Sequence, residues 1–204
     1  MAALSPLEQF LQSPEDVLHV AADGQMLRTA PLPYGLLPGS FNPLHQGHLQ
    51  LASIAEQILG QPIAFELSVT NVDKPRLSQM EIRRRLTQFA WRASVWLTHA
   101  PRFVDKVEHF AGISFVVGAD TALRLVLPSY YNHDEGQMRA ALRRLQEREC
   151  RFLVACRRDA QGRCLQLDDL PIPSGLRELF RSIPPAQFRW DVSSTELRQR
   201  GQGL

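Results

Sequence analysis

Short apolar and β-branched runs alternate with stretches whose apolar residues recur at helical spacing, and this restricts the chain to an α/β architecture. Strand-like runs lie at residues 34–38, 63–69, 95–98, 113–117 and 151–155, with a final one at 188–190. Between the first two, Leu49, Leu51, Ala52, Ala55 and Ile58 share one helical face, and Gly60 supplies a C-terminal stop. Ser78 and Glu81 read as a capping box for a helix running to about residue 93. Further helices are expected at 102–110, from 118 to 127, and at 135–147, where Met138, Leu142 and Leu145 keep helical spacing. Residues 165–172 resemble an edge segment, 174–182 a helix, and 193–200 a last short helix with Ser193 and Glu196 as its capping box. Strands that alternate with helices in this way build a doubly wound parallel sheet. Residues 1–33 stand apart as an N-terminal helical extension, with a helix at 6–11 and a second turn at 13–21 opened by Ser13 and Asp16. The rest, 34–204, reads as a single domain without internal repeats.

Composition excludes several classes. With 204 residues, 44% hydrophobic and 22% charged, the chain can bury a core of its own. No apolar run reaches the ~18 residues of a membrane helix, and the N-terminus lacks the pattern of a secretory signal. A net charge of +2 is too weak to argue for a nucleic-acid partner. Cys150, Cys156 and Cys164 show no C-x-x-C spacing, and a reduced, cytoplasmic setting is expected. Of 23 basic residues only Lys74 and Lys106 are lysines, which singles both out in a chain that otherwise uses arginine.

In open α/β sheets ligands bind outside the carboxyl ends of the strands, so the residues just beyond those ends carry the functional information. The first such segment is Gly39-Ser40-Phe41-Asn42-Pro43-Leu44-His45-Gln46-Gly47-His48. Gly39 and Ser40 allow backbone to approach a phosphate, and the following helix offers unsatisfied N–H groups and the positive end of its dipole. His45 and His48, three apart, fall near one face of that terminus, and Gly47 between them leaves room for a ligand. Two histidines at this spacing are also half a metal site, but the cysteines are far away without ligand spacing. Lys74, held extended by Pro75 in the loop after the next strand, is a mobile cation or a solvated surface lysine. Gly118 and Asp120 suit close approach to sugar hydroxyls, or Asp120 only caps the next helix. Ser193, Ser194 and Thr195 open a helix that could hold phosphate, with Arg198 one turn on.

Taken in order, these segments resemble the nucleotidyltransferase superfamily of adenylyl- and cytidylyltransferases. Its patterns G-[ST]-F-[ND]-P-x-H-x-G-H and [IV]-S-S-T-x-[IL]-R are matched at every defining position by Gly39–His48 and by Val192–Arg198. The resemblance covers residues 34–200 and implies a Rossmann-like fold. Within the superfamily the chain is most similar to nicotinate- or nicotinamide-mononucleotide adenylyltransferases, enzymes of NAD biosynthesis. Gly118-Ala119-Asp120 is similar to their ribose-binding G-A-D segment, and Arg157 resembles the arginine that ends a late strand there. Where the family places a tryptophan against the pyridine ring, this chain has Tyr130 and Tyr131.

The resemblance implies attack by the 5′-phosphate of a phosphorylated small-molecule acceptor on the α-phosphorus of ATP, with release of pyrophosphate. The Gly39, Ser40 and Phe41 amides would hold the triphosphate. His45 and His48 would donate hydrogen bonds to it, Lys74 would neutralise it, and Ser194, Thr195 and Arg198 would grip the leaving phosphates. Mg²⁺ is expected to ride on the ATP phosphates rather than in a protein cage. Cytidylyl- and phosphopantetheine-type transfer share the outer motifs and remain alternatives, as does a non-catalytic nucleotide-binding protein of the same fold. Class I aminoacyl-tRNA synthetases share the histidine motif, but the chain is too short for one.

Overall fold

The computed structural model describes residues 4–14, 17–70, 75–158 and 164–188. In chain order the elements are α1 (Pro6–Gln12), β1 (Leu18–Val20), β2 (Met26–Leu27), β3 (Gly35–Pro38), α2 (Gln46–Leu59), β4 (Ile63–Ser68) and α3 (Gln79–Thr87). There follow β5 (Val95–Thr98), α4 (Phe103–Lys106), β6 (Ser114–Gly118), α5 (Ala119–Leu125) and α6 (Glu135–Glu147). The chain continues through β7 (Arg151–Ala155), β8 (Arg157–Arg158), β9 (Cys164–Leu165) and β10 (Phe180–Ser182).

Eight strands form one sheet in the order β10-β7-β6-β3-β4-β5-β1-β2. The pairings from β10 across to β5 are all parallel. The parallel part starts in the middle at β3, winds outward through β4 and β5, then returns past β3 to build β6, β7 and β10. That is the doubly wound Rossmann order expected from the alternation, and the reversal on either side of β3 is its topological switch point. Apolar residues of α2 and α3 cover one face with Phe41, Phe65 and Phe89. Those of α5 and α6 cover the other with Phe110, Phe115 and Phe152. The central strands are buried on both faces, which is why they read as continuous apolar runs.

Three expectations are corrected. Among the described residues of 13–21 there is no helical turn: Leu18–Val20 is a strand that pairs antiparallel with β5, and β2 adds to its outer edge. A three-residue strand has too little sequence to show a period, and its partner lies far along the chain. The capping box of the N-terminal helix is Ser5 with Glu8, whereas Ser13 ends that helix. Asp16 lies outside the described residues. Residues 174–182 are not a helix either. Leu176, Leu179 and Phe180 mimic helical spacing, but they belong to a 3₁₀ turn at Arg177–Leu179 followed by β10, which extends the parallel sheet beside β7.

The third correction concerns the cysteines. Cys156, just before β8, and Cys164, the first residue of β9, are disulfide-bonded with Cα atoms 5.8 Å apart, while Cys150 is free and buried. The antiparallel pairing of β8 with β9, not a C-x-x-C motif, brings the two together, so spacing alone gave no sign of it. Among the described residues no helix is long and apolar enough to cross a membrane. The expected final strand at 188–190 reduces to Phe188, which is buried outside any strand, with 189 and 190 beyond the described residues.

Candidate functional site

The switch point opens a crevice at the carboxyl rim of the sheet. β3 and β6 pair only at Gly35 with Ser114 and Leu36 with Phe115, so their last residues part as they reach the rim. Gly39-Ser40-Phe41 leaves β3 on one side of this gap, and Gly118 ends β6 on the other.

Phe41 holds the first loop in place. It is fully buried, and its ring meets Phe65, Phe89 and His48 edge-on at 5.3, 5.1 and 5.1 Å. Its backbone sits in the left-handed region at φ 45°, where a bulky side chain is strained, so the burial of the ring sustains the turn. A Cβ at Gly39 would lie 2.7 Å from the Phe41 ring. Gly39 is therefore demanded by its neighbour rather than by a ligand. Its N–H is also used, donating to the Glu66 carbonyl at 3.0 Å. This corrects the expectation that the Gly39 amide would hold phosphate. The Ser40 and Phe41 amides donate to no acceptor among the described residues.

His45 is the N-cap of α2 and His48 stands in its first turn. Their rings stack at 3.7 Å with an interplanar angle of 22°. The His45 N–H donates to Nδ1 of His48 at 3.3 Å. A nitrogen that accepts carries no proton, so the neutral His48 ring bears its hydrogen on Nε2 as a donor. Burial first, and the neighbouring His45 second, lower the His48 pKa to about 3; burial also lowers that of His45. His45 is the less exposed by area, at 8%, yet the larger shift belongs to His48, whose ring is the more crowded by protein. Near neutrality the pair therefore works as uncharged imidazoles.

This has a consequence for acid stability. The folded state holds His48 neutral down to about pH 3, whereas the unfolded chain protonates it below 6.5. Stability from this group is thus complete above pH 6.5 and is lost as the pH falls. Between pH 7 and 4.5 the wild type should lose roughly 2–3 kcal/mol more than His48→Gln in urea unfolding. Equal losses would show that His48 titrates normally.

The helix after the second parallel strand was expected, but not its role in bracing this loop. From α3, Arg85 Nη1 donates to the Ser40 carbonyl at 2.9 Å and Arg84 Nη2 to Asn42 Oδ1 at 2.6 Å. Gln88 Nε2 donates to the Phe41 carbonyl at 3.0 Å, and its Oε1 accepts from the Leu44 N–H at 2.8 Å. Hydrogen bonds from Arg84 above all, and from Arg85, hold the Glu81 carboxyl at about 2, so the expected capping glutamate instead anchors the two arginines. The only available signal was an Arg-Arg-Arg run inside the helix after the second strand.

Across the crevice, Gly118 is the N-cap of α5 and Asp120 its second residue. A Cβ at Gly118 would meet no atom within 4 Å, so space lies open on this side. The two tyrosines divide their roles. Tyr131 donates its hydroxyl to the Leu125 carbonyl at 3.1 Å, and burial raises its pKa. Tyr130 is 57% exposed, with the Arg124 guanidinium 5.7 Å over its ring. Tyr131 is thus a packing residue, and of the two Tyr130 presents the exposed ring. Arg157 begins β8 directly beyond the end of β7. Lys74, Ser193, Ser194, Thr195 and Arg198 lie outside the described residues.

The model of the cytidylyltransferase-like family matches residues 36–200. A probable nicotinate-nucleotide adenylyltransferase from Trichlorobacter lovleyi is 36% identical over 97 residues, 46% of this chain and 44% of that protein. The match thus spans less than half of that relative's length. The Rossmann order, the crevice at its switch point and the two histidines at the head of α2 agree with a match over most of the chain: the protein belongs to the cytidylyltransferase-like family, within the nucleotidyltransferase superfamily.

Proposed function

We propose that this nucleotidyltransferase moves AMP from ATP to nicotinate or nicotinamide mononucleotide, forming a dinucleotide and pyrophosphate. The observation that carries the reading is His48 at the head of α2, held as a neutral Nε2–H donor by the His45 backbone. The partial similarity to a nicotinate-nucleotide adenylyltransferase supports the choice of acceptor.

An oxygen of the acceptor phosphate forms a bond to the α-phosphorus, and the bond from that phosphorus to the leaving pyrophosphate oxygen breaks. The nucleophile is already an anion, so no strong base is required, and catalysis consists of positioning and stabilising charge. The Ser40 and Phe41 amides and the first turn of α2 face the triphosphate. His45 and His48 donate to its α- and β-oxygens without bringing a charge of their own. Lys74 neutralises the bridging oxygens, while Ser193, Ser194, Thr195 and Arg198 hold the departing phosphates. Gly118 and Asp120 take the ribose, and Tyr130 and Arg157 border the acceptor.

Among the described residues no three His, Cys, Asp or Glu side chains are grouped to hold a metal. The donors at the head of α2 are nitrogens, whereas Mg²⁺ takes oxygens. We treat Mg²⁺ as part of the substrate, arriving on ATP. The test is pyrophosphate release from ATP or CTP with nicotinate mononucleotide, nicotinamide mononucleotide or phosphopantetheine. Release with ATP and a pyridine mononucleotide is expected. Nucleotide binding with no release across the panel would leave only a binding protein.

A further inference from the structure

Glu66 on β4 and Lys106 on α4 form an ion pair in the interior. They are 1% and 4% exposed, and Lys106 Nζ donates to Glu66 Oε1 at 2.7 Å. Removing two charges from water generally costs as much as their attraction returns, and apolar residues of similar volume pack as well or better. Core stability alone therefore gives little reason for the pair, and its other bonds all converge on one turn. Lys106 Nζ also donates to the Ala100 carbonyl at 2.6 Å. Thr98 Oγ1 donates to Glu66 Oε1 at 2.6 Å and accepts from the Ala100 N–H at 3.2 Å. The network closes around the chain as it leaves β5 at the carboxyl rim. Glu66 also accepts the Gly39 N–H, but through its backbone carbonyl, a bond that a change of side chain leaves in place.

The turn runs into Arg102 and Phe103. Phe103 meets Phe115 of β6 and Phe152 of β7 edge-on at 5.1 and 5.2 Å, and Arg102 lies within electrostatic reach of Tyr131. The Phe103 contacts lay the start of α4 on the face of β6 and β7, and Arg102 brings the turn towards Tyr131 on the side of the crevice opposite the loop that α3 braces. Resting on the transferase reading above, we infer that Glu66, Lys106 and Thr98 are positioning residues for the phosphorylated acceptor. They fix the rim turn at residues 98–103 against which the acceptor seats, and they leave the ATP side to α2 and α3.

The experiment compares wild type with the double variant Glu66→Leu/Lys106→Met and with Thr98→Val, varying ATP and nicotinate mononucleotide separately and following thermal unfolding. The double variant should be as stable as wild type, with KM for the acceptor raised tenfold or more and KM for ATP within twofold. Thr98→Val should shift the same constant in the same direction by less. An unchanged acceptor KM, or an equal rise for ATP, overturns the inference. If the double variant does not fold, the same split measured in Thr98→Val decides it. Hydrogen exchange at the Ala100 and Arg102 amides gives a readout independent of activity, expected to quicken tenfold or more in whichever of the two variants folds. Unchanged protection there overturns the inference even if no acceptor is turned over. A wild type inactive with every acceptor would instead defeat the transferase reading.

Discussion

His48→Ala is expected to cut turnover by about 10²-fold or more while ATP binding changes little, because one preorganised donor to developing phosphate charge contributes about 3 kcal/mol. The structure adds a reason beyond the residue's place in a motif. The His45 N–H occupies Nδ1, so the remaining nitrogen carries the donor hydrogen, and burial keeps the ring neutral. His48→Gln retains an N–H donor and should recover part of the loss; His48→Ala cannot. Single-turnover rates and ATP dissociation constants of the two variants give the comparison. Wild-type turnover in His48→Ala would remove His48 from the chemistry.

Phe41→Ala should destabilise the fold by about 3–5 kcal/mol, in the range for emptying a buried aromatic site. The ring is wholly enclosed and touches Phe65, Phe89 and His48, so its loss leaves a cavity between the central sheet and α3. Backbone strain makes the prediction sharper. At φ 45°, alanine still bears the left-handed penalty of roughly 1–2 kcal/mol and glycine does not. Phe41→Gly should therefore be no less stable than Phe41→Ala, the reverse of the order in a helix or strand. Urea midpoints for both variants test this, and a glycine variant clearly weaker than alanine would mean that the turn is not strained.

Much of the parallel core was legible because its signals are local. The pattern of Met138, Leu142 and Leu145 fixes α6 at Glu135–Glu147, and the apolar run from Arg151 to Ala155 is β7. Gly60 ends α2 in the left-handed conformation that glycine suits. What failed depends on partners distant in sequence. β1 exists because β5 offers an edge, and β10 because β7 does.

The site divides in the same way. His45 and His48 were legible from spacing and resemblance, whereas the brace from Arg84, Arg85 and Gln88 links residues some forty positions apart. Lys106 stood out by scarcity, but its partner did not. The missed signal was Glu66, an acidic residue inside a strand otherwise buried and apolar, which demands a cation nearby. Gly39 was read from its freedom to approach a phosphate, whereas the Phe41 ring and the Glu66 carbonyl account for a glycine there.

Transfer of label from ATP carrying a radioactive α-phosphate, with nicotinate or nicotinamide mononucleotide as acceptor, tests the proposed reaction most directly. The label should appear in a dinucleotide, with one unlabelled pyrophosphate released for each dinucleotide formed and neither product made without acceptor. Label that stays in ATP, or leaves as free AMP whether or not acceptor is present, would contradict adenylyl transfer by this protein.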